Sequence, residues 1–294
     1  MMPCCGWRGG GQDAEVTAEA EPANRLDTRS RIKAKQERGV PLTPDVLSRM
    51  SAALERADLS SLVRRQSVCG LARKTMPKPR FCELFISIDD LRERVAPTVD
   101  LMSSPWLFQS LTETLDQRML SLLSRDDRLS VSGDISINLN LSTLLSPAFL
   151  DFDDGLTARR RGRMIIELQQ VDILADPAAF NFAREFGQEK GYRLCLDGVT
   201  HRTFDLMDVA RLGLDVVKVR WDAAMRDDPA AWRDRFQGVQ ETAGTRVVLC
   251  RVDSPAAVEF GQAAGVSLFQ GHHVETLISD DQQRRHVLRL KRGG

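Results

Sequence analysis

Residues 164–198 read MIIELQQVDILADPAAFNFAREFGQEKGYRLCLDG, and they set the fold class. Met164–Leu168 is a short β-branched run. Asp176–Lys190 follows, with Phe180, Phe182, Ala183 and Phe186 at helical intervals and a proline at the start, where a first helical turn tolerates one. Tyr192–Leu196 is a second apolar run. A strand, a helix and a strand in about 35 residues make a βαβ unit, which predicts parallel pairing and a right-handed crossover.

The same unit recurs in both directions. Further strands are predicted at Phe81–Ile86, Ile135–Leu141, Asp215–Val219, Arg246–Cys250 and Ser267–Gln270, with a weaker first run at Leu62–Leu71. Helices are predicted at Pro105–Ser124, Pro229–Thr242 and Pro255–Ala264. In Pro105–Ser124, Trp106, Leu107 and Phe108 are expected to be core. About eight units in this length predict a closed α/β barrel of the (β/α)8, TIM-like type. No Gly-x-Gly-x-x-Gly turn follows a strand, which argues against a dinucleotide-binding fold.

The chain has 294 residues, with 41 basic and 41 acidic side chains. That balance gives no global field toward nucleic acid or an anionic membrane. No apolar run is long enough for a spanning helix, and Met1–Gln12 lacks a secretory core, so a cytoplasmic protein is expected. The six cysteines have neither zinc-site nor disulfide spacing and are expected to be reduced; Cys4 and Cys5 stand apart as candidates for lipidation or oxidation. Residues 1–40 carry no apolar period and are expected to be a disordered segment. Residues 41–60 read as a short helix (Thr43–Ala57) and linker, 61–278 as the barrel, and 279–294 as a basic C-terminal tail.

In such barrels the chemistry lies at the C-terminal ends of the strands. Residues there are Glu83, Asn138 or Asn140, Glu167, Asp197, Lys218, Cys250 and Gln270. Three carboxylates and an amide at one mouth suit a hard cation such as Mg²⁺ or Mn²⁺. Each polar residue taken singly is also explained by a strand ending in water. His201, His272 and His273 follow strands and with the carboxylates would suit zinc or iron; loop histidines facing water are the preferred reading.

These residues carry a family resemblance. "RQSVCGL" with Gln66, "CELF" with Glu83, "NLSTLLSPAFL" from Asn140, "IIELQQ" with Glu167, "RLCLDG" with Asp197, "DVVKVR" with Lys218 and "FQGH" with Gln270 stand in the order and spacing of the EAL domains. That family consists of bacterial signalling barrels that hydrolyse cyclic di-GMP with two metal ions. The resemblance places Asn140, rather than Asn138, at the metal-binding asparagine. It also shows what is missing. Gly198 stands at the second metal-holding aspartate, Arg220 at the aspartate after the lysine, and Cys250 at a catalytic glutamate. Arg251 replaces the following glycine, Gln170 the glutamate that steadies a catalytic loop, and Ser87 an arginine that meets phosphate. Losing one general base costs roughly 10²–10⁴ in rate.

The expectation is therefore a catalytically inactive, degenerate EAL-like signalling domain that binds a protein partner or cyclic di-GMP. Candidate ligand residues are Glu83, Asn140, Glu167, Asp197, Lys218, Arg220 and Gln270, with Arg220 free to pair with the remaining carboxylates or a phosphate. No cofactor is expected, and metal is expected to be weak or absent; Mg²⁺ or Mn²⁺ at Glu83, Asn140, Glu167 and Asp197 belongs to the alternative of residual phosphodiesterase activity. Family members often dimerise, so a homodimer is open.

Overall fold

The computed structural model describes residues 39–73, 75–125 and 133–292. The expectations for the N-terminal segment up to residue 38, including Cys4 and Cys5, lie outside the described residues. Strands β1 (Val40–Pro41), β2 (Val63–Gly70), β3 (Lys78–Ile86), β4 (Val99–Asp100), β5 (Asp134–Asn138), β6 (Met164–Gln169), β7 (Arg193–Val199), β8 (Val216–Arg220), β9 (Arg246–Cys250) and β10 (Leu268–Phe269) occur in that order. Eight of them close a barrel in the order β10-β2-β3-β5-β6-β7-β8-β9, with β9 paired to β10.

Two expectations need correction. The sheet is not wholly parallel, because β2 runs antiparallel to both β3 and β10. Only Leu71–Pro77 joins β2 to β3, and seven residues are too few for the crossover that parallel neighbours require. Val40, placed by the sequence in the disordered segment, lies in a strand: Val40–Pro41 pairs with Val99–Asp100.

The helices used below are α1 (Pro44–Arg56), α2 (Ile88–Val95), α3 (Pro105–Arg125), α4 (Leu141–Leu144), α5 (Pro147–Asp154), α6 (Ala158–Arg161), α7 (Gln170–Ala175), α8 (Pro177–Lys190), α9 (Pro229–Ala243), α10 (Pro255–Ala263) and α11 (His272–Arg292). Thr43 caps α1 through its side chain, as the sequence suggests, and Asp176 and Asp228 cap α8 and α9. Between barrel and helices lies one large core, with Phe149 stacked near Phe152, Phe186 and Tyr192. A second core joins α1, α2 and α3 through Met50, Leu54, Leu91, Leu111 and Leu115, so residues 41–60 pack as part of the domain. None of the helices in the described residues is long and apolar enough to cross a membrane.

Trp106 is not core: it is 82% exposed. It lies about 140° around the helix from Leu111, on the side away from the buried stripe. Phe180 is buried, Phe186 partly buried and Phe182 exposed.

The barrel interior explains how the mouth is built. Val68, Phe81, Ile165, Cys195, Val216, Val248 and Leu268 form one buried apolar cluster. Side chains alternate along a strand, so the residues two places on face inward again, one layer nearer the C-terminal rim. Those residues are Glu83, Glu167, Asp197, Lys218, Cys250 and Gln270. On antiparallel β2 the equivalent step runs backwards, from Val68 to Gln66, which lies opposite Glu83 in the ladder.

Candidate functional site at the barrel mouth

The polar layer is wired as a hydrogen-bonded ion network. Lys218, 2% exposed, donates from Nζ to Glu83 Oε2 at 2.6 Å and to Glu167 Oε2 at 2.6 Å. Asn138 Nδ2 donates to Glu83 Oε1 at 2.6 Å, and Gln270 Nε2 donates to Glu83 Oε2. Gln169 Nε2 donates to Asp197 Oδ2 at 2.8 Å. Two carboxylates therefore share one ammonium, and a third is held by an amide.

Burial opposes ionisation of Glu83, but the Lys218 ammonium and the hydrogen bonds from Lys218, Gln270 and Asn138 outweigh it and hold the carboxyl below its ordinary value. Glu167 has no solvent contact. Burial pushes it up to about 8; Lys218 opposes this, while Glu83 and Asp197 add to it. Burial likewise disfavours charge on Lys218, yet Glu167, Glu83 and Asp197 together raise its pKa well above normal. The lysine stays charged at any physiological pH. Burial, reinforced by Asp197, pushes the Cys250 thiol well up, so it is neither thiolate nor base at neutral pH.

Of the residues expected at the site, Glu83, Glu167, Lys218 and Gln270 meet directly, while Asp197 bonds Gln169 beside them and acts on Lys218 through its charge. Asn140 does not. Its backbone N–H and its Nδ2 both donate to Asp116 Oδ2 at 2.7 Å, and Nδ2 also reaches Thr112 Oγ1 at 3.1 Å. The strand ends at Asn138, and Asn140 turns outward to begin α4. Arg220 does not pair with the carboxylates as expected: it is exposed and has no hydrogen bond or ion pair among the described residues. Lys218, one layer deeper, makes those contacts instead.

The replaced positions are also locally committed. Gly198 has φ of +78°, and a Cβ there would lie 2.7 Å from Gln169 Oε1. The backbone is one that L residues rarely adopt, and the space is filled. Arg251 has φ of +54°, and among the described residues it is the one non-glycine with positive φ; a glycine-type turn persists there under an arginine. Ser87 accepts from Asp90 N–H at 3.2 Å and caps α2, so that position serves the helix. Gln170 donates to the Thr203 carbonyl at 2.9 Å and so anchors the loop after β7.

His201 Nδ1 lies 3.8 Å from Asp222 Oδ2, and the His272 backbone N–H donates to Asp253 Oδ1. Among the described residues no group of three or more His, Cys, Asp or Glu side chains is arranged to hold a metal ion. Asn138, one of the two asparagines the strand end offered, is the one that reaches Glu83; Gln169 and Asp116 are the contributors that sequence reasoning missed. Gln169 is two residues beyond Glu167 and was accessible from the alternation. Asp116 stands beside the apolar stripe of α3, a position where a carboxylate needs a partner.

Beside the mouth opens a cavity of about 950 Å³ that runs toward α3 and α7. Five carboxylates line it, from Glu83, Asp116, Asp172, Asp176 and Asp197, and among the described residues no Lys, Arg or His does. Burial pushes Asp116 up to about 7 against its hydrogen bonds from Asn140 and Thr143. The outer rim includes exposed Met102, Trp106 and Val171.

The EAL domain family model matches residues 77–276. The chain belongs to the EAL domain family. The matched range begins after β2, so the correspondence of Gln66 lies outside it. No curated protein sequence matches the chain significantly. Three solved structures share the EAL fold. BlrP1 of Klebsiella pneumoniae, in complex with calcium and cyclic di-GMP, is 18% identical over 71% of this chain and 54% of its own, with a TM-score of 0.53. The Xanthomonas citri FimX EAL domain, in complex with cyclic di-GMP, is 14% identical over 81% and 94%, with a TM-score of 0.54. Vibrio cholerae LapD, bound to cyclic di-GMP, is 14% identical over 78% and 57%, with a TM-score of 0.56. This EAL chain thus spans about half the length of the Klebsiella protein.

The donor set tests whether a divalent metal fits this EAL barrel. Lys218 bonds both Glu83 and Glu167, burial favours the acid form of Glu167, Asn140 is held by Asp116, and Gly198 supplies no ligand. As arranged, these residues do not make a divalent-metal site.

Proposed function

We propose that this EAL barrel does not hydrolyse cyclic di-GMP and acts by binding, with a protein partner received at its mouth and the adjoining cavity. The observation that supports this most is at Asp197–Gly198. Gln169 holds the Asp197 carboxylate and its amide lies where a side chain at Gly198 would begin, so the second metal position has lost its ligand and its remaining carboxylate is engaged. Phosphodiester hydrolysis of this type relies on metal to activate water and offset charge on the phosphate. Cys250, protonated, offers no base in its place. The cavity also favours a protein over a free dinucleotide, because Asp172, Asp176 and Asp197 line it without an ion pair among the described residues and disfavour an anionic diester.

One observation favours a second reading, as a cyclic di-GMP receptor. Arg220 is exposed at the rim without a partner, and a guanidinium there suits a phosphate.

The test is to incubate the purified full-length protein with cyclic di-GMP and Mg²⁺ or Mn²⁺ and separate the products chromatographically. No linear dinucleotide is expected. Product that disappears in Glu83→Gln would overturn the proposal.

A further inference from the structure

Resting on this non-catalytic reading, we propose that the acidic cavity between α3 and α7 is a docking groove for the chain's own basic segment, residues 25–38. Three features of the groove define its occupant. Its wall is acidic: Asp172 and Asp176 add to Asp116 and the mouth carboxylates, and among the described residues the one cation beside them, Lys218, is already engaged by Glu83 and Glu167. Asp172 Oδ2 is buried without a hydrogen-bond partner, a position that a donor would satisfy. Its rim is apolar and exposed: Met102 at 66%, Trp106 at 82% and Val171 at 68%. Acid with exposed aromatic and aliphatic rim suits a basic segment whose long side chains lay methylenes on the rim and deliver charge inward.

Residues 25–38 have that chemistry. Arg25, Arg29, Arg31, Lys33, Lys35 and Arg38 stand against only Asp27 and Glu37, with Ile32 among them. The rest of the chain is close to neutral, so this is a local excess placed at one point of the fold. That point is near the groove. The described chain begins at Gly39, Val40 pairs with Val99, three residues before Met102, and Leu42 N–H donates to Ser103 Oγ at 2.8 Å. Fourteen residues reach roughly 45 Å when extended, enough to lie along the groove without moving the barrel. Tethering also gives the segment a high effective concentration over any free competitor.

The test is hydrogen–deuterium exchange on the full-length chain, following the amides of residues 102–112 and 169–175. Three proteins are compared: the wild type; a variant carrying Arg29→Glu, Arg31→Glu, Lys33→Glu and Lys35→Glu; and Val171→Lys, which puts a cation on the exposed rim. Protection is expected in the wild type, with loss in the four-site variant, whose glutamates the groove carboxylates repel, and a smaller loss in Val171→Lys. Identical exchange in the wild type and the four-site variant overturns the proposal. Wild-type protection that vanishes on dilution also overturns it, since the occupant would then be a second copy. Val171 is exposed, and denaturant unfolding of each variant shows whether a loss of protection reflects unfolding. Hydrolysis by the same preparation would sink the non-catalytic reading; unchanged exchange without hydrolysis would sink the docking alone.

Discussion

Replacing Lys218 with methionine is expected to destabilise the protein by about 3–5 kcal/mol at neutral pH, the cost of removing one partner from a buried ion pair. The lysine is 2% exposed and lies 2.6 Å from each of two carboxylates. Methionine fills the volume but leaves Glu83 and Glu167 facing each other without a counter-charge. The pH dependence separates charge from packing. In the wild type, the depressed pKa of Glu83 contributes stability that is present above the ordinary carboxylate value and lost as pH falls through its folded value. Glu167 acts in the opposite sense: raised to about 8, it is held more easily as the acid, and its charge costs stability as pH climbs from the ordinary range toward 8. Without Lys218 both carboxyls are best held protonated, so the penalty should shrink steadily toward acid pH. Denaturant unfolding of both proteins across that range checks this. A pH-independent loss would mean that packing, and not charge, dominates.

Restoring the two replaced acids together, Gly198→Asp with Cys250→Glu, is expected to yield a less stable protein that still does not cleave cyclic di-GMP. A side chain at position 198 must adopt the left-handed backbone, at about 1–3 kcal/mol, and displace Gln169, which then releases Asp197. A glutamate at 250 adds another carboxylate next to Asp197 and Glu167, where burial already keeps a thiol protonated. The two sites share neighbours, so their costs need not add; a combined loss of about 3–5 kcal/mol is expected from these terms. Asn140 remains bound to Asp116, and the ligand set stays incomplete. Unfolding curves and the chromatographic assay, run on the same preparation, measure both outcomes. Restored hydrolysis would show that two substitutions alone separate this barrel from an enzyme.

Much of the barrel is legible in the sequence because parallel strands covered by helices are apolar on both faces, and Met164–Leu168 or Asp215–Val219 admit little else. The direction of β2 is not legible from its own residues, since an apolar run has no polarity; only the seven-residue connection to β3 holds that information. The mouth divides in the same way. Glu83, Glu167, Asp197, Lys218 and Gln270 follow from alternation, each two residues beyond an inward apolar side chain. Asn140 and Arg220 do not, because neither place is set by strand period. Asn140 lies past the strand end, where its direction depends on Asp116, 24 residues away on α3. Arg220 sits at the last position of β8, where no deeper wall confines it. Trp106 shows a related limit: its apolar character suggested core, but its angle on α3 places it in solvent.

Titration of Mn²⁺ into the metal-free full-length protein by calorimetry, repeated with Glu83→Gln, tests the central claim most directly. The account predicts only heats of dilution from both proteins, because Lys218 already satisfies Glu83 and Glu167 and Gln169 holds Asp197. Saturable uptake by the wild type that Glu83→Gln abolishes would contradict it and return the barrel to the metal-dependent phosphodiesterases.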